Sequence, residues 1–127
     1  GIDAAWFATT RNLFHIYLNF NRIEVIPNGA FANITALRSL NMWQNQLKTV
    51  RREAFGFLGS LTLIDFDTNT INALDERIFD DAEELRSFFF GRNICLSASF
   101  FDFINNRATF MARLQRCFCN LHHYVGE

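Results

Sequence analysis

The sequence predicts an α/β solenoid. Its horseshoe has short parallel strands on the concave face, loops and short turns on the convex face, and a helical cap at the C-terminal end. Three observations carry this. The stretch Leu37 to Asn45, LRSLNMWQN, reads L-x-x-L-x-L-x-x-N with Met42 at the third apolar position. The same pattern recurs every 24 residues without insertion or deletion, as Leu13, Ile16, Leu18 and Asn21, then Leu61, Ile64, Phe66 and Asn69, then Leu85, Phe88, Phe90 and Asn93. A column of Phe7, Phe31, Phe55, Phe79 and Phe103 keeps the same interval. A fixed period in the twenties belongs to units that bury their apolar faces by stacking on one another.

Residues 1–12 fall in register with the second half of a repeat, since Ile2 aligns with Ile26, Val50 and Leu74. They read as the tail of a truncated or incomplete first repeat, with Ile2, Trp6 and Phe7 near an open end. Residues 13–94 hold about three and a half repeats. In each, the L-x-L portion forms a short strand whose alternate residues face inward and outward. The Asn that follows bonds backbone groups of its own and the neighbouring coil, giving a ladder of buried, satisfied amides. Ile34, Leu58 and Ala82 close the coils, and 24 residues leave room only for loops and short turns on the outer side. Residues 95–119 change pattern and are expected to form a helical, cysteine-containing cap. There Ser97 to Ile104 reads as one helix with Ser97 or Ser99 as its N-cap. Arg107 to Cys117 reads as a second, with Phe110, Leu114 and Cys117 on one face. Residues 120–127 are expected to be a loose tail.

Composition narrows the function. Half of the 127 residues are hydrophobic and sixteen are Phe, enough for one dense core. The net charge of −1 removes the electrostatic footprint of nucleic-acid binding. An acidic run, Asp75, Glu76, Asp80, Asp81, Glu83 and Glu84, is relieved only by Arg77 and reads as a solvated outer face. No apolar run reaches the roughly 18 residues of a transmembrane helix. No signal peptide is visible, so the chain reads as a mature, processed or truncated form.

Cys95, Cys117 and Cys119 are an odd set. A disulfide from the last coil to the cap pairs Cys95 with Cys117 or with Cys119. The remaining thiol is free, pairs with upstream sequence, or links a second chain through Cys119. Cys117, Cys119, His122 and His123 form a C-x-C-x-x-H-H cluster able to hold zinc or copper, but the spacing matches no strong metal pattern, and no metal or cofactor is expected. His15 has no obvious nucleophile beside it, Ser39 and Ser87 stand in a variable column, and there is no phosphate loop or nucleophile elbow. No enzyme activity is expected.

The outward strand positions define the expected ligand face. Tyr17, Phe20, Trp43 and Phe89 make it unusually aromatic, with Asp65, Asp67 and Arg92 beside them. Aromatic residues and Arg are the types that anchor interfaces. Phe20 and Phe89 have a second reading, tucked against the solenoid edge or the cap. Asp65 and Asp67 bias the face toward a basic or amide-rich protein partner. Asn33-Ile34-Thr35 is an N-glycosylation sequon expected on the outer side, away from the sheet.

The runs LFHIYLNFNRIEVIPNGAFANITA and LRSLNMWQNQLKTVRREAFGFLGS resemble the 24-residue repeats of extracellular leucine-rich repeat proteins. These include Toll-like receptor ectodomains, small proteoglycans and insect secreted proteins. The ending GRNICLSASFFDF…CFC is similar to the shortened cysteine cap of insect secreted members of that group, immune proteins among them. The resemblance implies a secreted or ectodomain scaffold that is not an enzyme and that recognises protein, glycan or pathogen-derived ligands. It also implies a role for Cys119 in holding a partner chain.

Overall fold

A computed structural model describes residues 1–123 of the chain. In order, the strands and helices are β1 (His15–Tyr17), β2 (Ser39–Asn41), β3 (Thr49–Val50), β4 (Leu63–Asp65), β5 (Ala73–Leu74), β6 (Ser87–Phe90), β7 (Ala98–Phe100), α1 (Arg107–Arg113) and α2 (Gln115–His122). β1, β2, β4 and β6 pair in parallel with His15 beside Ser39, Ser39 beside Leu63 and Leu63 beside Ser87. β7 adds antiparallel to β6 and completes a five-stranded sheet. β3 and β5 pair in parallel on the return path, and short 3₁₀ turns at Arg52–Ala54 and Glu76–Phe79 follow them. The convex side is therefore built from turns and two-residue strands, as the repeat length requires.

The strands are short because the chain must turn at the same place in every coil. The turning residues are Phe20, Gln44, Thr68 and Arg92, with φ of 58°, 57°, 56° and 54°. None is Gly or Asn, and this left-handed conformation costs other residues on the order of 1–2 kcal/mol. The turn is held because its N–H faces the next coil. Phe20, Gln44 and Thr68 donate to the carbonyls of Trp43, Asp67 and Gly91 at 2.9, 3.0 and 2.8 Å.

One residue further on, the amide ladder stitches the coils. Asn45 donates to the Leu18 and Met42 carbonyls at 2.8 and 3.1 Å, and its oxygen accepts from the Ile23 N–H at 3.1 Å. Asn69 repeats this with Met42, Phe66 and Leu47, and Asn93 with Phe66, Phe90 and Ile71. Each amide binds its own coil and the one before it. Asn45 and Asn69 are buried and Asn93 is half-buried, and Asn21 departs furthest from the expected buried ladder. No coil precedes it among the described residues, so it is exposed and bonds only Leu18 and Asn19 carbonyls within its own turn.

Inside, Ile16, Leu40, Ile64 and Phe88 form one buried column, and Met42, Phe66 and Phe90 continue the next. The outer aromatic column is in contact at Phe7–Phe31 and Phe31–Phe55, with ring centroids 5.4 and 5.8 Å apart. Toward the C-terminal end the core becomes aromatic. Phe88 stacks on Phe100, Phe79 stacks on Phe103, and Phe110 packs against both Phe100 and Phe103. At the other end Ile2 is buried, Phe7 is half-buried and Trp6 is exposed.

The cap differs from its expected form in three places. Ser97 to Ile104 is not a helix. It is β7 followed by a 3₁₀ turn at Phe103–Asn105, because the open edge of β6 needs a partner for its backbone groups. Neither serine caps a helix: Ser97 accepts from the Arg92 N–H at 2.9 Å, and Ser99 lies in β7. The second helix breaks at Leu114 and then runs on to His122, since Leu114, Cys117, Phe118 and Leu121 continue one apolar face. The expected loose tail is thus helical through His122, and its residues 124–127 lie outside the described ones. α2 packs on β5, and the Asn120 amide donates to the Asn72 carbonyl at 2.8 Å. The Arg107 guanidinium closes the last complete coil, residues 61–84, by donating to the carbonyls of Phe79 and Ala82, each at 2.7 Å. Among the described residues no helix is long and apolar enough to cross a membrane.

Asn69→Leu leaves buried N–H and C=O groups without partners and should lower the unfolding free energy by about 1–3 kcal/mol. Asn21→Leu, at the exposed first rung, should cost clearly less. Urea unfolding of the two variants checks this, and equal losses would contradict a ladder that works between coils.

Candidate functional site

The outward positions of β1, β2, β4 and β6 form rows across the concave sheet. The row beginning at Tyr17 continues through Asn41 and Asp65 to Phe89, by strand register. The row two residues later runs Asn19, Trp43, Asp67, Gly91. Tyr17 is 67% exposed and stands beside His15 near the open edge. Trp43 is 36% exposed, its ring centroid 4.5 Å from that of Phe20 in an edge-on contact. Phe20 is not tucked into the edge; it is 64% exposed. Phe89 is half-buried and packs edge-on against Phe101 at 5.6 Å. Part of this face therefore comes from the cap, through a residue that the repeat pattern does not reveal.

Trp43, Asp65, Asp67, Phe89, Gly91 and Arg92 line one open recess of about 630 Å³. Tyr17 and Phe20 lie outside it, on the side toward β1. The Asp65 carboxylate accepts from the Asp67 N–H at 3.0 Å, and that of Asp67 accepts from the Thr68 hydroxyl at 2.8 Å. Burial pushes the Asp65 carboxyl above the usual range and the Asp67 charge adds to this, against the opposing effect of that N–H. Gly91 makes room for Asp67, because a Cβ at Gly91 would collide with the Asp67 carboxylate. Arg92 stands exposed at the left-handed corner.

The convex acids are treated differently. Asp75, expected as part of a solvated face, is buried. Its oxygens accept from Arg77 Nε at 3.0 Å, Arg77 Nη2 at 2.7 Å and the Arg52 N–H at 3.0 Å. Burial alone would raise its carboxyl, but the bonds from Arg77 and Arg52 outweigh that and hold it below the usual range. Glu53 pairs with Arg77 at 2.7 Å and Asp81 with Arg52 at 2.9 Å. Among the described residues, Asp65 and Asp67 have no such ion pair.

His15 does have a hydroxyl beside it, contrary to expectation. Its Nδ1 lies 2.6 Å from Ser39 Oγ, which the Asn41 amide also approaches at 3.4 Å. No carboxylate holds the other ring nitrogen among the described residues, so the pair lacks the third member of a nucleophile relay. Cys95 and Cys117 form a disulfide across a separation of 22 residues, and Cys119 is an exposed free thiol. The C-x-C-x-x-H-H cluster thereby loses Cys117 as a ligand. Among the described residues no three His, Cys, Asp or Glu side chains gather around a metal position. Asn33 and Thr35 are exposed around buried Ile34, and the Asn33 amide donates to the Ala8 carbonyl at 3.1 Å.

Stacked 24-residue coils with a continuous parallel sheet define a repeat scaffold, and the leucine-rich repeat family matches residues 1–47 and 37–93. The chain belongs to the leucine-rich repeat family. It is 28% identical over 74 residues to Prolargin of Mus musculus, a match covering 58% of this chain and 20% of that protein. It also superimposes on the crystal structure of a TLR13–ssRNA13 complex with a TM-score of 0.67 and 29% identity, over 73% of this chain and 13% of that one. The chain therefore spans a fifth or less of the length of either relative.

Asp65→Asn retains an acceptor for the Asp67 N–H and removes a half-buried charge. Because folded Asp65 binds its proton more tightly than the unfolded chain does, its charge destabilises most above the raised value, and the penalty vanishes below the ordinary one. The variant should be more stable than the parent at neutral pH, and the difference should disappear by about pH 3, below the ordinary aspartate value of ~3.9. Urea midpoints at the two pH values measure it.

Proposed function

We propose that the chain is a secreted or ectodomain recognition module that is not an enzyme and that binds a protein partner through its concave face. The observation that carries this reading is the contrast between the two faces. On the convex side the buried or half-buried acids Asp75 and Asp81, with Glu53, pair with Arg52 and Arg77, and the other acids of the run are exposed. Half-buried Asp65 and Asp67, by contrast, lie unpaired among the described residues in the concave recess beside Trp43 and Phe89. A partly buried charge left without an internal partner is costly unless something outside the chain uses it. Trp43 and Tyr17 supply rigid aromatic area of the kind that dominates interface energetics.

The Cys95–Cys117 disulfide supports an oxidising, extracellular setting, and so does the exposed Asn33 sequon as a glycan site outside the sheet. A glycan or pathogen-derived ligand, a setting in innate immunity or cell-surface signalling, and the domain limits at residues 12, 94 and 119 are parts of the same proposal. The TLR13 structure is a complex with single-stranded RNA. For this chain an RNA ligand is disfavoured, because two carboxylates on the concave face repel phosphate. A second reading, a structural subunit linked to a partner chain through Cys119, is supported by the exposure of that free thiol.

Immobilised wild-type chain and its Trp43→Ala variant, each checked for folding by circular dichroism, should retain different proteins from the native source. The variant should lose the specific partner through a weakening of about 2 kcal/mol, roughly 30-fold. Equal retention of every captured protein would remove the concave face from consideration. The Cys119 reading expects a heavier species that disappears on reduction and is absent from Cys119→Ser.

A further inference from the structure

The concave recess has a layout more specific than a general binding surface. Its acidic pair lies in the third coil, Trp43 in the coil before and Phe89 in the coil after. Parallel strands are about 4.8 Å apart and each residue advances about 3.3 Å, so the two aromatic positions, two strands and two residues apart, are separated by about 12 Å. A long side chain entering between them has an aromatic residue on either side for its aliphatic stem. Each ring is braced from its far side, Trp43 by Phe20 and Phe89 by Phe101, so neither must be ordered when a ligand arrives. The floor is low because Gly91 has no side chain, and the Asp67 carboxylate leans over it. Two carboxylates against the single guanidinium of Arg92 leave the lining at a charge of −1. Arg92 sits at the rim, exposed, and makes no ion pair among the described residues.

We propose that this recess is a subsite for one cationic side chain, lysine or arginine, projecting from the partner protein. The charged head meets Asp65 and Asp67 while its aliphatic stem lies between Trp43 and Phe89. This rests on the concave-face reading and gives it a chemical class. The raised Asp65 carboxyl agrees with it, since an arriving cation supplies the compensation that the fold withholds.

The test uses the full chain labelled with nitrogen-15, following the Trp43 indole N–H and the Gly91 amide. The probes are the Nα-acetyl N-methylamides of arginine and lysine, and of their neutral counterparts citrulline and norleucine. The cationic probes should give saturable shifts at both reporters, the neutral ones should bind at least about tenfold more weakly, and Asp67→Asn should remove the difference. Stronger response to arginine than to lysine assigns a guanidinium, and the reverse an ammonium. Equal response to cationic and neutral probes overturns the subsite but leaves the concave face as a binding surface. No saturable shift with any probe, or an unchanged preference in Asp67→Asn, also overturns it. The capture experiment with Trp43→Ala judges the broader reading separately.

Discussion

The side-chain amide of the ladder asparagine is the interaction on which the remaining structure depends. A coil that folds back every 24 residues turns backbone groups inward at its corner, where water cannot reach them. Asn45 and Asn69 each satisfy two carbonyls and one N–H there, one carbonyl in their own coil and the other two groups in the coil before. That arrangement fixes the register of each strand on the next, and with it the rows of the concave face. It also anchors the corner whose preceding residue adopts a positive φ. Strain at Phe20, Gln44 and Thr68 is tolerated because the same geometry brings each N–H to a carbonyl of the following coil.

A ladder of this kind has to stop, and the C-terminal end replaces its missing neighbour group by group. Ser97 supplies the acceptor for Arg92 that a fifth coil would have provided with a carbonyl. Phe103 donates to the Arg86 carbonyl at 2.8 Å, in the place that Arg86 takes on Thr62 one coil earlier. β7 pairs with the edge of β6, and Phe100 and Phe103 cover the aromatic core. Arg107 and the Cys95–Cys117 bond then fasten the helices to the last coil. The cap also adds Phe101 to the concave face, so ending the solenoid and shaping its recess are one piece of construction.

Charge is distributed to opposite effect on the two sides. Arg52 and Arg77 draw Asp75, Asp81 and Glu53 into a network that binds consecutive coils on the outside. On the inside, Asp65 and Asp67 hold only a backbone N–H and a hydroxyl, next to aromatic rings. The first arrangement stabilises the chain, whereas the second raises the Asp65 carboxyl and leaves two carboxylates without an ion pair among the described residues. In the proposed binding role, that cost to the fold is the expected compromise between stability and recognition.

The sequence by itself determined the coil period, the inward columns, the amide ladder and the rows of the concave face. Each follows from offsets that repeat identically, and the two-residue alternation of a strand then assigns every side chain to a face. Tyr17, Trp43, Asp65 and Asp67 were legible as outward for that reason. Tertiary structure decided whatever the repeat does not specify. Ser97 to Ile104 has a composition compatible with a helix, and only the unpaired edge of β6 makes part of it a strand. Asp75 lies in an acidic run that looks solvated, and only the reach of Arg77 and the Arg52 N–H draws it inside. Asn21 has the ladder residue without the ladder, because no coil lies before it among the described residues. Cys119 is left free because the buried face of α2 brings Cys117, one turn after Leu114, to Cys95. Repetition makes the middle of such a chain readable; its ends, and the pairing of its charges, depend on contacts that occur only once.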